Sequence, residues 1–220
     1  MNSLRRIFRT GSGVPRDAEA LSLDQMRRDL KQARTNSDFP LRDLRPVLLP
    51  SPILAMGTWV GPSHYFDSLP VSLTWAFLRP HGTMLYLSHD VASSLDQKGI
   101  GWRLEARDAL TREFRIRPWT HQFKGPSGAV EAVALMHDDG LGPSRLLCAR
   151  QLLARFPTGF AFFVPERSCA LLLAATASAE VASRVNQVVK DCFAAADVPM
   201  STSAFGHEAL IAALTEVGEL

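Results

Sequence analysis

The 220 residues are 46% hydrophobic and 21% charged, with a formal net charge of +2. That is the balance of an ordinary globular chain, long enough for one large domain or two small ones sharing a core. So small a net charge argues against a dedicated nucleic-acid binder, and no apolar run approaches the roughly 20 residues needed to span a bilayer.

The opening MNSLRRIFRTGSGVPR carries Arg5, Arg6, Arg9 and Arg16, with no acid before Asp17. Residues 1–17 read as a basic arm closed by GSGVP. With Leu4, Ile7 and Phe8 the same composition also suits an organellar import segment, but no apolar stretch follows the arginines as a secretory signal requires. The next segment, LSLDQMRRDLKQAR, predicts a helix: Ser22 and Gln25 form a capping box, and Leu23, Met26 and Leu30 recur at helical spacing. PVLL (46–49) and ILAMGTWV (53–60), punctuated by Pro50 and Pro52, read as short strands or one interrupted strand. GPSHYFDSLP is a loop.

In VSLTWAFL the large residues Val71, Leu73, Trp75 and Phe77 alternate with small ones, and TMLYLS returns after a turn, which predicts a β-hairpin. Ser88 is placed to cap a short helix ended by Gly99. A second helix follows, with Trp102, Ala106, Leu110 and Phe114 in one stripe, and the two helices cover one face of the hairpin.

RIRPWTHQFKGPSG reads as a polar connection and AVEAVALMH as a strand. SRLLCARQLLARF predicts a helix over 144–156. GFAFFVP and SCALLLAATA predict neighbouring strands with apolar residues on both faces, burying Phe160, Phe162, Leu171 and Leu173. Ser178 caps a helix over 179–195, and a shorter C-terminal helix docks on the sheet. The fold expected is α/β, or α+β, with a mixed β-sheet under packed helices, preceded by an N-terminal helix and the basic arm. Residues 18–220 form the globular domain, divisible into 18–118 and 119–220.

Cys148, Cys169 and Cys192 are odd in number, far apart, and set among Leu, Ala and Phe. They suit neither a disulfide framework nor a zinc site, and read as buried packing residues of a reducing compartment. Cys169 beside Arg167 invites a reactive-thiol reading, which its apolar strand opposes.

The runs GTMLYLSHDVASSLDQKGIGWRLEARDALTREF and LMHDDGLGPSRLLCARQLLARFPTGFAFFVPERSCALLLA resemble the bacterial YtpQ-like proteins of unknown function. The likeness lies in element order, an acidic strand end, a serine at helix entry, and a P-x-R step at Pro165, Glu166 and Arg167. It covers residues 45–205 or thereabouts. It implies a bacterial protein, and supplies no substrate, cofactor or catalytic residue.

The densest cluster of chemical side chains is HDDGLGPSRLLC (137–148). His137, Asp138 and Asp139, joined by His89 and Asp90 if the strand ends converge, are suitable ligands or acid/base groups for a divalent metal and a hydrolase. The alternative is a turn: acids and glycines end a strand, and Pro143 opens a helix. GLG lacks the full spacing of a phosphate loop. The stretch 112–124 interleaves Arg112, Arg115, Arg117 and Lys124 with Phe114, Trp119 and Phe123, a mixture that suits single-stranded nucleic acid or an acidic protein partner. Arg167, at the edge of an apolar strand, needs a carboxylate or a ligand anion. The sequence thus favours a cytoplasmic protein that needs no cofactor and binds another protein, as an adaptor, immunity or regulatory factor. A metal-dependent hydrolase and a nucleic-acid-associated protein are the alternatives.

Overall fold

In the computed structural model the described residues are 40–55, 59–79 and 84–218; the expected basic arm and Ser22–Gln25 helix lie outside them. Four strands form the first sheet: β1 (Leu44–Pro50), β2 (Ser63–Tyr65), β3 (Val71–Leu78) and β4 (Met84–Tyr86). β3 is central. β1 pairs along one of its edges, and β2 and β4 share the other, all antiparallel. The expected hairpin is β3–β4.

The alternation in β3 does not mark a wet face. Ser72 and Thr74 are as buried as Leu73. Their hydroxyls are satisfied inside, Ser72 Oγ at 2.8 Å from Ser51 Oγ, and Thr74 donating to the Pro62 carbonyl at 2.9 Å. Small hydroxyl residues here let loops close over the sheet without leaving an unpaired polar group.

The segment read as a strand over 53–60 is corrected. Ser51–Ala55 is a short helix, α1. Pro52 falls in its first turn, where the missing N–H costs nothing.

Ser88 does cap α2 (His89–Gln97), its Oγ accepting from the Val91 N–H at 3.3 Å. Gly99 leaves that helix at φ +67°, a conformation glycine adopts without strain. α3 (Trp102–Ile116) then buries Trp102, Ala106, Ala109, Leu110 and Phe114. It packs on β1, and the Trp102 ring meets Trp75 of β3 edge to face at 5.2 Å.

The second sheet has the order β5 (His121–Lys124), β6 (Val130–Leu135), β8 (Cys169–Ala174), β7 (Phe160–Glu166), β9 (Phe205–Gly206). Every pairing is antiparallel. The class is the expected one of mixed helix and strand, in its α+β form, since no parallel pair joins the described strands. β5 lies in what reads as a polar connection. It is an edge strand with only Phe123 buried, so its sequence shows no apolar alternation.

β7 and β8 are neighbours, as predicted. Their register places Cys169, Leu171 and Leu173 on one face with Ala161 and Phe163. That face meets α5 (Ala179–Ala195), which packs across β6, β7 and β8. On the other face the Phe160 ring meets Phe156 and His207, beside α4 (Ala149–Arg155) and α6 (His207–Glu216). The helix expected over 144–156 is interrupted: Pro143–Leu147 is a 3-10 turn, and α4 starts afresh after Cys148.

The cap of α5 is doubled. Ser178 Oγ accepts from the Val181 N–H, while the Glu131 carboxylate accepts both the N–H (2.8 Å) and the O–H (2.6 Å) of Ser178. Those bonds hold the Glu131 pKa below the usual carboxylate range.

Phe160, Phe162 and Leu171 are buried, whereas Leu173, also expected inside, is half-exposed at the end of β8. Leu171→Ala should therefore cost about 2–5 kcal/mol in urea unfolding, the range for packed cores. Leu173→Ala should cost clearly less. Equal losses would mean that α5 covers the strand end more closely than the burial shows.

The described residues from Pro40 onward form one compact unit. Within it the first sheet and α3 come from the expected 18–118 portion, and the second sheet from 119–220.

Candidate functional site: a buried polar seam and a basic rim

β6 delivers His137 into the interior, where it is 4% exposed. Its Nε2 lies 3.0 Å from the Arg117 carbonyl. A carbonyl only accepts, so Nε2 carries the hydrogen and Nδ1 keeps a lone pair, buried with no partner. Burial, reinforced by the nearby Arg145 cation, holds the pKa down to about 4. The imidazole is neutral at physiological pH.

The two acids part company. Asp138 turns outward to meet Arg117 at the surface, at 3.3 Å. Asp139 turns inward: Oδ1 accepts from the Leu141 N–H at 2.8 Å, and the Arg145 guanidinium donates to Oδ1 at 3.1 Å and Oδ2 at 2.7 Å. Arg145 itself is 2% exposed. Burial pushes the Asp139 pKa up, but the bonds from Arg145 and Leu141 outweigh it and leave the carboxyl below its ordinary value.

Glycine makes this path possible at two points. Gly140 turns at φ +71°. A Cβ on Gly142 would stand 2.2 Å from the Ser168 carbonyl oxygen and 2.3 Å from that of Leu135, so no other residue fits without moving backbone.

The segment then crosses to the first sheet. Ser144 is fully buried and its Oγ accepts from the Leu48 N–H of β1 at 3.0 Å. Cys148 is buried nearby, and burial pushes its thiol up to about 12. Arg45, also buried, donates from Nε to Glu113 of α3 at 3.0 Å and from Nη1 to the Leu44 carbonyl at 2.8 Å. Two buried cations, each neutralised by one carboxylate, thus stand where β1, α3 and the 137–148 segment meet.

This arrangement ties the 137–148 segment to β1 and occupies its inward carboxylate. Both oxygens of Asp139 are committed to Arg145, and the free nitrogen of His137 is enclosed. Among the described residues no three of His, Cys, Asp and Glu gather as a metal-holding group. His89 and Asp90 are exposed on the first turn of α2 and join none. The five candidate ligands are not brought together, and the turn reading accounts for the stretch. Sequence reasoning missed Arg145 and Ser144 as its principal partners, because their contacts depend on the tertiary path.

The basic stretch divides differently. Arg112, Arg115, Arg117 and Lys124 are exposed, whereas Phe114 and Phe123 are core. Trp119 is half-buried with the Arg155 guanidinium 5.6 Å from its ring centre. Phe123 has Arg184 at 5.5 Å. Phe123 is therefore corrected from a partner contact to a core residue. Among the apolar residues of the stretch, Ile116 stands out at 85% exposed. Arg167 is exposed in the turn between β7 and β8; burial raises the Tyr86 pKa, and the nearby Arg167 cation offsets part of that rise. Cys148, Cys169 and Cys192 are free and buried, as expected.

No helix among the described residues is long and apolar enough to cross a membrane. Compared with protein-family models, curated proteins and solved structures, the chain finds no match in any of the three. The likeness to the YtpQ-like proteins therefore rests on the quoted residues alone.

Proposed function

We propose that this protein acts by binding another protein, as an adaptor, immunity or regulatory factor, through the outer face of α3 and the turn after it. The observation that carries the reading is Ile116, 85% exposed between Arg115 and Arg117. A partner that covers this side chain removes apolar surface from water, at about 25 cal/mol per Å². Arg112 and Arg115 pair with no acid among the described residues. The complementary partner presents a shallow apolar pocket rimmed by Asp and Glu. Burial of Phe114 and Phe123 leaves only half-buried Trp119 of the three aromatic rings for base stacking, which weighs against the nucleic-acid alternative. Occupation of Asp139 by Arg145 weighs against the hydrolase.

The test is affinity capture from native lysate with the wild-type chain and with Ile116→Asp, Arg115→Glu. A stoichiometric protein retained by the first and lost by the second, at unchanged melting temperature, is the expected result. A partner held equally by both, or none at all, sinks the proposal.

A further inference from the structure

Cys169 opens β8 and Cys192 lies in the last turn of α5, 23 positions later in the chain, yet their sulfurs are 3.7 Å apart. The contact follows from register. Odd-numbered residues of β8 face α5, and Cys192 lies on the buried stripe of that helix with Val181, Val185, Val188 and Val189. Van der Waals contact between two thiols is the arrangement from which a disulfide needs least rearrangement. The sulfurs must close to about 2.05 Å, a movement of roughly 1.7 Å. The end of α5 is well placed to supply it, since Ala194, Ala195, Asp197 and Val198 beyond Cys192 are exposed and leave that turn lightly packed.

We propose that Cys169 and Cys192 are an oxidation site, closing to a reversible intramolecular disulfide when a small hydroperoxide reaches them. Cys192 is the attacking sulfur. It is the less buried of the two, and the Cys169 S–H donates to it, which lowers the Cys192 pKa and raises that of Cys169. Burial opposes ionisation of Cys192, as do the Glu166 and Asp191 carboxylates, but the S–H donor outweighs them. In the first step the Cys192 sulfur takes one oxygen from hydrogen peroxide, giving a sulfenic acid and one water. In the second the Cys169 sulfur attacks the sulfenic sulfur, the S–S bond forms, and hydroxide leaves with the Cys169 proton as a second water. Two thiols are oxidised and one peroxide is reduced to two waters. Cys148 stays out of the reaction, since the only thiol contact among the described residues is that between Cys169 and Cys192. Bulky thiol reagents are excluded by the same burial that admits a peroxide slowly.

The experiment treats the reduced full-length chain with hydrogen peroxide, then labels remaining thiols with N-ethylmaleimide in denaturant for intact-mass and peptide analysis. The expected product has lost two hydrogens, takes one maleimide at Cys148 instead of three, carries a 169–192 linked peptide, melts higher, and reverts with dithiothreitol. Cys169→Ser should stop at a Cys192 sulfenic acid trapped by dimedone, and Cys192→Ser should keep both remaining thiols. Three maleimides after prolonged exposure, a link through Cys148 or between chains, or Cys192 sulfinic acid without a link would overturn the proposal. The wild-type result decides it even if a variant fails to fold.

Discussion

Replacing Asp139 by alanine should cost about 3–5 kcal/mol of folding stability, the largest single loss expected outside the hydrophobic core. The substitution leaves the Arg145 guanidinium, 2% exposed, without its carboxylate partner. Breaking one side of a buried ion pair costs that much because the remaining charge keeps its full desolvation penalty. Removing both charges is a different matter. Asp139→Leu with Arg145→Met should recover most of the loss, since a buried pair replaced by apolar side chains of similar volume is often neutral. Urea unfolding of the three chains reads both effects. A loss under about 1 kcal/mol for Asp139→Ala would show that Arg145 reaches solvent or a second acceptor.

His137 should give the fold a distinct acid sensitivity. Its pKa is held down to about 4 in the folded protein, against 6.5 unfolded. Between those values the unfolded chain binds the proton and the folded chain does not, so stability falls as pH falls through that window. The contribution is complete above pH 6.5 and exhausted near pH 4, and at 1.36 kcal/mol per unit it amounts to about 3 kcal/mol. Asp139 acts lower on the scale: its depressed carboxyl stabilises above the unfolded value and loses that effect only as pH drops through the folded one. His137→Gln should flatten the stability curve between pH 6.5 and 4 relative to wild type. An unchanged slope in that variant would mean that the imidazole takes its proton without unfolding.

The sequence was most readable where one physical cause acts locally. Ser88, Ser178 and Gly99 ended and began helices as their chemistry requires, and the Trp102–Phe114 stripe turned inward as its spacing demands. Reading failed where distant chain decides the matter. Ser72 and Thr74 look like a solvent face until the loop at Pro62 covers them. β5 has no pattern of its own and exists because β6 offers it an edge. The five-ligand idea depended on strand ends converging, and adjacent residues Asp138 and Asp139 instead point to opposite environments. The pairing of Cys169 with Cys192 needed the register of β7 and β8, which no spacing encodes.

The bond from the Leu48 amide to Ser144 spans 96 positions of chain. Each sheet, by contrast, is assembled from strands close in sequence, 44–86 for one and 121–206 for the other. Contacts between near neighbours in the chain form early, because they close short loops, while distant ones wait. The two sheets can therefore be structured before Ser144 finds the outer edge of β1. Leu48 N–H is then the slow reporter: its protection from hydrogen exchange dates the moment when the two halves of the chain become one protein.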